Sequence, residues 1–278
     1  MRVNWLNKSI IYLILNTTIA SQLLYPGQLY AQDRFTNQPP PLGVSEPPLI
    51  RRLPIILPDL GDASSGDLST LDEKKIKKIG FPLVDSVVQR SLVATGGTVL
   101  ASKLALNYGI ACNTAGGSHH ANYDSGAGYC VFNDVAVAAH YLLDRGFANR
   151  ILIVDLDVHQ GNGNSEIFKD NRHVFTFSMH SKTNYPAKKA ISDLDVELED
   201  NLEDDAYIKT LKFYLNELNR ENFDFVFYIA GVDIHLNDRL GNLKVSDDGV
   251  RKRDELVINN FFSKRIPFLH KLCTAAIL

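Results

Sequence analysis

The chain has few sulfur-containing residues and only a small excess of negative over positive charge. Its 278 residues include two methionines and three cysteines, Cys112, Cys130 and Cys273, with no CxxC pair. An odd, dispersed set of cysteines argues against a disulfide scaffold and against a structural zinc knuckle. Lysine and arginine number 29 against 32 acidic residues, so the formal net charge is −3. The overall charge therefore gives no indication of direct nucleic acid binding.

The chain also has no uninterrupted apolar stretch long enough to cross a membrane. The apolar stretch nearest the N-terminus covers residues 10–15 and is followed by Asn16. Six residues cannot cross a bilayer, so we expect no membrane-spanning helix there. Basic residues precede the stretch and small residues follow it, as in a secretory signal. Residues 1–31 are therefore either a signal-like leader or an apolar N-terminus without a targeting role.

Proline marks a second segment. Seven of the eleven prolines lie between Pro39 and Pro58. Proline fixes φ and lacks an amide donor, so residues 32–72 are expected to form an extended linker rather than packed structure. We place the start of the folded domain near Glu73, which gives a domain over residues 73–278.

The domain alternates strand and helix patterns. Apolar residues make up 45% of the chain, enough for one sizeable core. Helices are predicted over residues 91–108, 133–146, 204–218 and 247–262, and strands over 110–113, 151–154, 174–179 and 225–229. Strands that alternate with helices predict an α/β fold, a three-layer parallel sheet with helices on both faces.

Polar residues follow two of the predicted strands. Asp155, Asp157 and His159 come directly after the strand at 151–154, and Asp233 follows the strand at 225–229. Extended chain alternates its side chains, and ligands collect beyond the carboxyl ends of parallel strands. Asp157, His159 and Asp233 would give a divalent metal three ligands and leave a position for water. The alternative for each aspartate is a helix cap or a turn.

A third cluster, His119 and His120, follows two glycines. Adjacent side chains of a strand face opposite ways, but a glycine-containing backbone can turn and direct both imidazoles inward. Two imidazoles near a metal-activated water can act as general base and as electrostatic catalyst. The alternative is a pair of surface or structurally satisfied histidines. His180 and His235, which also follow strands of the site, are further candidates for the rim.

In combination these segments resemble the histone deacetylase family, in particular its class IV-like branch, from about residue 73 to residue 267. The segments that carry the resemblance are GFP at 80–82, GGT at 96–98, GGSHH at 116–120, GYCVFND at 128–134, DLDVHQGNG at 155–163, AGVD at 230–233 and DRLG at 238–241. Their order and spacing make the resemblance specific. It implies an arginase/deacetylase-like fold with one Zn²⁺ per chain.

The resemblance also assigns the site residues. Asp157, His159 and Asp233 match the metal ligands, and His119 and His120 match the tandem catalytic histidines. Asp155 matches the partner of the first histidine and Asn162 the partner of the second. Gly128 and Tyr129 match the channel for the acyl-lysine stem. Asp155, Asp157, His159 and Ser178 match residues around a structural monovalent cation, K⁺.

The implied reaction is hydrolysis of an N-acyl amide, in an acylated lysine peptide or a small acylated amine. His120 is the predicted proton shuttle, and His119 is expected to stabilise developing charge. Asn162 stands where many relatives have an aspartate, so we expect a lower pKa for its histidine partner. The resemblance favours a cytoplasmic location, whereas a true signal peptide would export the domain.

The match fails after Ile266-Pro267. The family has a glycine-rich segment with an oxyanion-binding tyrosine there, and residues 268–278 contain neither residue type. Loss of one oxyanion donor costs about 10²–10³ in rate. The sequence thus leaves open a C-terminally truncated remnant that binds zinc or acyl-lysine without turnover. A binuclear manganese ureohydrolase is rejected, because Gly161 occupies the position of a required carboxylate.

Overall fold

The computed structural model describes residues 73–271, which form six helices and six strands. The helices are α1 (Glu73–Ile79), α2 (Asp85–Tyr108), α3 (Asp134–Asp144), α4 (Asn162–Phe168), α5 (Asp204–Leu218) and α6 (Asp247–Phe262). The strands are β1 (Ile110–Asn113), β2 (Ile151–Asp155), β3 (Val174–Ser181), β4 (Leu194–Leu198), β5 (Phe225–Ile229) and β6 (Phe268–Lys271). None of these helices combines the length and hydropathy that crossing a membrane requires.

The six strands form one parallel sheet in the order β1-β6-β5-β2-β3-β4. Every residue of β2 and β5 is buried, as expected for central strands covered on both faces. Apolar residues of α5 and α6 pack with alternate residues of β2 and β5 in the main core cluster. The three-layer α/β fold predicted from the sequence is the one observed.

Most predicted elements are confirmed, and their ends follow local chemistry. The predicted bounds of α5, β5 and α6 are confirmed to the residue. Asn133 caps α3, since its side chain accepts a hydrogen bond from the Ala136 amide at 2.9 Å. Gly109, at φ 83°, ends α2 in the left-handed conformation.

The elements α1, α4 and β4 were not predicted, and β6 directly follows Ile266-Pro267, where the sequence match ended. Glu197 and Leu198, at the start of the acidic stretch 197–205, belong to β4. This strand lies at the end of the sheet order and carries acidic side chains that rarely occur in strands. The predicted leader, the linker and residues 272–278 lie outside the described residues, so the location of the protein stays a prediction.

Candidate metal centre and active-site cleft

Two adjacent strands bring the predicted metal ligands together. β2 and β5 pair in parallel, with Asp155 opposite Ile229, so the segments that follow them leave the sheet side by side. One side-chain N or O atom from each of Asp157, His159 and Asp233 lies within 4.8 Å of the others. His159 Nδ1 is 3.0 Å from both Asp157 Oδ1 and Asp233 Oδ2.

This donor set fits a divalent cation. Asp157 Oδ2 is buried and has no hydrogen-bond partner among the described residues. Burial and the charge of Asp157 raise the pKa of Asp233 to about 7, because two buried carboxylates resist being ionised together. A dication between them would remove that conflict. Burial opposes a charged His159, but hydrogen bonds to both aspartates outweigh it and raise its pKa to about 10. A metal at Nδ1 must therefore displace a proton.

The tandem histidines face the same site. Gly116 and Gly117 have φ values of 96° and 77°, which turn the chain before His119. The rings of His119 and His120 lie 4.1 Å apart, and His120 is 5.8 Å from the His159 ring. The predicted turn that brings both imidazoles inward is thus present.

Each histidine has a different hydrogen-bond partner. His119 Nδ1 lies 2.7 Å from Asp155 Oδ2, and His120 Nδ1 lies 2.7 Å from Asn162 Oδ1. These are the two partners that the sequence predicted. An amide oxygen accepts only from a protonated nitrogen, so His120 carries its proton on Nδ1 and leaves the lone pair of Nε2 for proton transfer.

The surroundings of His119 and His120 shift the pKa values of the two imidazoles in opposite directions. Burial opposes the charged form of His119, but Asp155 and Asp157 outweigh it and raise its pKa to about 9. Burial and the adjacent His119 charge hold the pKa of His120 well below its usual range. At neutral pH the pair is therefore one imidazolium and one neutral imidazole, which suits one electrostatic and one proton-accepting role.

A cleft of about 410 Å³ opens onto these residues. Its lining residues are Lys78, Ile79, Gly80, His120, Gly128, Tyr129, His159, Asn184, Tyr185, Asp233 and Leu240. Gly128 and Tyr129, predicted to line a channel, are both among them. Tyr129 has φ 63°, and its ring stacks on Phe81 at 6.1 Å.

Tyr185 is a cleft residue that the sequence analysis missed. Its ring meets the His120 ring edge to face, with 4.8 Å between centroids. The local signal was a Tyr-Pro pair shortly after the end of β3. The pair is brought to the cleft by Asn184, whose side chain donates to Leu240 O at 2.6 Å and accepts from the Asn242 amide at 2.9 Å.

Two predicted rim residues are not there. His180 is fully buried, and its Nδ1 lies 3.0 Å from the Ser178 hydroxyl, so it cannot line the cleft. His235 Nε2 pairs with Asp247 at 3.2 Å, so it turns toward α6 and is not among the cleft lining residues. Ser178 lies beside Asp155 in the strand register. The K⁺ site at these residues stays a prediction.

Comparison with known proteins places these features in context. A family model described as "Histone deacetylase domain" matches residues 59–270. An uncharacterized protein of Picosynechococcus sp. is 49% identical over 199 residues, covering 71% of this chain and 66% of that protein. Histone deacetylase 2 of Arabidopsis thaliana is 39% identical over 180 residues, covering 63% and 46%. The chain thus spans about half to two thirds of these relatives.

Solved structures give the same fold. A histone deacetylase homologue complexed with SAHA is 28% identical, with a TM-score of 0.59, over 66% of this chain and 52% of that one. An acetylpolyamine aminohydrolase from Burkholderia pseudomallei also has a TM-score of 0.59, at 23% identity, over 66% and 56%. At that identity the second likeness concerns the fold alone.

Proposed function

Since the chain belongs to the histone deacetylase domain family, we propose that it hydrolyses the amide bond of an N-acyl-lysine or a related acylated amine. The proposed cofactor is one Zn²⁺, held by Asp157, His159 and Asp233. A relative whose name refers to histone deacetylation, histone deacetylase 2 of Arabidopsis thaliana, supports this substrate class. The SAHA complex of a homologue supports it as well.

One observation carries the proposal. The three convergent metal-ligand residues lie beside the tandem histidines, whose pKa values are shifted in opposite directions, and the cleft reaches this group at His120, His159 and Asp233. A structural metal site would be closed by a fourth protein ligand, and within the described residues this group has three. An open ligand position beside a neutral base is the arrangement that hydrolysis requires.

The residues of the chain divide the work of amide hydrolysis. His120 accepts a proton from the attacking water at Nε2 and then donates it to the nitrogen of the leaving amine. Asn162 holds the His120 ring in the orientation for this transfer. His119, kept cationic by Asp155, stabilises the negative charge that develops on the carbonyl oxygen.

The cleft aromatic residues orient the substrate. Tyr129 and Tyr185 would flank an aliphatic stem and exclude water from it, as aromatic walls do in narrow sites. Zinc would supply Lewis acidity toward the amide carbonyl and the water. The proposed K⁺ beside Asp155 and Ser178 would add positive charge beneath the site.

The test combines metal analysis with turnover. The purified chain is stripped of metal, reconstituted with zinc and assayed on acetyl-lysine peptides and on N-acetylated polyamines. We expect one zinc per chain, and we expect Asp157→Ala to lose both the zinc and the activity because two ligand atoms cannot replace three. Asp170→Ala, an exposed loop substitution, is the matched control and should retain both.

Each result has one meaning. Zinc binding with turnover of either substrate supports the proposal, and the preferred substrate names the class. Zinc binding without turnover of any acylated amine contradicts the hydrolase and favours a binding protein. Failure to bind zinc contradicts the proposed cofactor.

A further inference from the structure

Arg253 is a fully buried arginine that the proposed chemistry does not use. It lies in α6, and none of its surface is exposed to solvent. A buried guanidinium is costly unless its donors and its charge are satisfied. The buried guanidinium of Arg253 therefore requires hydrogen-bond and charge partners that offset its desolvation cost.

Those partners lie behind the metal ligands. Arg253 Nη1 donates to the carbonyl of Leu156 at 3.4 Å and also to the carbonyl of Gly231. Leu156 directly precedes the ligand Asp157, and Gly231 lies two residues before the ligand Asp233. One side-chain nitrogen thus ties together the two turns that carry the carboxylate ligands.

Gly231 packs closely against Asp157, so the position of its backbone affects the ligand atoms directly. A Cβ on Gly231 would lie 2.3 Å from Asp157 Oδ2 and 2.6 Å from Asp157 Cα, so the backbone of one turn rests directly on the ligand of the other. Any displacement of the Gly231 peptide must therefore move Asp157. The atom it would move, Oδ2, is the one that lacks a hydrogen-bond partner among the described residues.

The guanidinium itself is held in place. Arg253 Nε donates to Asp254 Oδ1 at 2.9 Å, and the Tyr228 hydroxyl donates to the same oxygen at 2.5 Å. The guanidinium carbon also lies 6.0 Å from the centre of the Tyr228 ring. Because Tyr228 belongs to β5, the charged group is anchored to the sheet as well as to α6.

We propose that Arg253 is a positioning residue that fixes the spacing of Asp157 and Asp233 and thereby sets the affinity of the site for zinc. This inference rests on the proposed function, because it takes the three-ligand group as a metal site. Substitution of a residue that holds metal ligands in position commonly changes metal affinity by roughly 10- to 100-fold.

The test measures zinc affinity rather than activity. Arg253→Met, Arg253→Lys and the control Arg251→Met are titrated with zinc in competition with a chromophoric chelator. Arg251 is exposed on the same helix, where it pairs with Asp248 and Glu255, so its loss leaves the site untouched. The melting temperature of each variant is recorded in the metal-free and the zinc-loaded form.

We expect Arg253→Met to raise the zinc dissociation constant roughly 10- to 100-fold. Arg253→Lys should recover part of the loss, since an ammonium can still donate to one of the carbonyls. Arg251→Met should bind zinc as the parent chain does. The gain in melting temperature on zinc addition should shrink in the same order, because it follows the affinity.

Other results overturn the proposal. If Arg253→Met does not fold, Arg253→Lys decides: unchanged zinc affinity, with equal loss of melting temperature in both forms, means that the arginine only stabilises the fold. A parent chain that does not bind zinc overturns both this inference and the proposed function. A parent chain that binds zinc without turnover contradicts only the hydrolase, and the Arg253 comparison still applies.

Discussion

The cleft has a floor and a rim that are built in different ways. The floor comprises His120, His159 and Asp233, which line the cleft, together with His119 and Asp157, which contact them from below the lining. The rim comprises Lys78, Gly80, Tyr129, Tyr185 and Leu240. Most floor side chains are almost wholly buried, with Asp157 1% and Asp233 3% exposed, and His159 is the most open at 17%, whereas the rim tyrosines are close to half exposed. The floor is held mainly by side-chain hydrogen bonds to aspartate and asparagine, whereas the rim combines ring contacts with hydrogen bonds to the backbone.

This difference separates chemistry from recognition. Substitution in the floor leaves a buried charge without its partner, so its cost is high and falls on the reaction itself. Substitution in the rim exchanges one partly solvated contact for another, so its cost is low and falls on binding. Floor and rim variants should therefore differ in which kinetic constant they change, as well as in size.

The largest expected effect is in the floor, at His120. We expect His120→Gln to lower kcat by about 10²–10⁴, because the proton acceptor is lost while the metal ligands remain. Zinc content should be unchanged. The measurement is steady-state hydrolysis of the preferred substrate together with metal analysis, with the exposed His173→Gln as control. A kcat within fivefold of the parent would mean that His120 is not the proton shuttle.

The second expected effect concerns the stability of the sheet, at His270 in β6. Burial lowers the pKa of His270 to about 4, and its ring stacks on Tyr228 at 5.1 Å. In the unfolded chain His270 binds a proton near pH 6.5, whereas in the folded chain it does so only near pH 4. The contribution of the neutral, buried His270 to the free energy of unfolding is therefore fully present above pH 6.5 and is lost as the pH falls toward 4. The contribution at stake is about 3 kcal/mol for this one group.

Melting temperature measured between pH 7 and pH 4 tests this. His270→Phe keeps the stacked ring but removes the titrating nitrogen, so its melting temperature should fall less steeply with acid than that of the parent chain. Parallel curves for the two proteins would contradict the assignment to His270.

A smaller effect is expected from the partner of His120. Asn162→Asp replaces a neutral acceptor with an anion, which stabilises the imidazolium and raises the pKa of His120. The base must be neutral to act, so the acid limb of the pH profile of kcat/KM should move to higher pH by about one unit. Asn201→Asp, in an exposed turn, is the control. An unmoved limb would mean that another group controls it.

The smallest effect belongs to the rim. Tyr185→Ala removes the edge-to-face contact with His120 and one wall of the cleft, which is worth about 1 kcal/mol. We expect KM to rise about fivefold with kcat within twofold. Tyr108→Ala, at the exposed end of α2, should change neither constant. A fall in kcat as large as the rise in KM would mean that Tyr185 contributes to the chemical step as well as to substrate binding.

The sequence predicted the floor better than the rim for a physical reason. The runs at 151–154 and 225–229 are apolar enough to be buried parallel strands, and the residues after them then meet at one sheet edge. The period-two pattern also put Asp157 and His159 on the same side of the chain. The tandem histidines needed only the glycine turn before them.

The rim could not be predicted in this way. Tyr185 reaches the cleft only because Asn184 bonds Leu240 and Asn242, more than fifty residues away, and no local pattern encodes such a contact. Arg253 was missed for a related reason. In the sequence it is one charge in a polar stretch of helix, and its burial depends on turns that follow two distant strands.

The long separations of the floor contacts bear on how the protein acquires its site as it folds. His119 bonds a residue 36 positions away, His120 one 42 positions away, and Arg253 a carbonyl 97 positions away. Contacts with such sequence separation form after local helices, because the intervening loops must first be closed. A zinc finger can fold around its ion from neighbouring residues, whereas the proposed zinc ligands of this protein meet only once β2 and β5 have paired. The rate of zinc binding during refolding would thus report the rate at which the central sheet is completed.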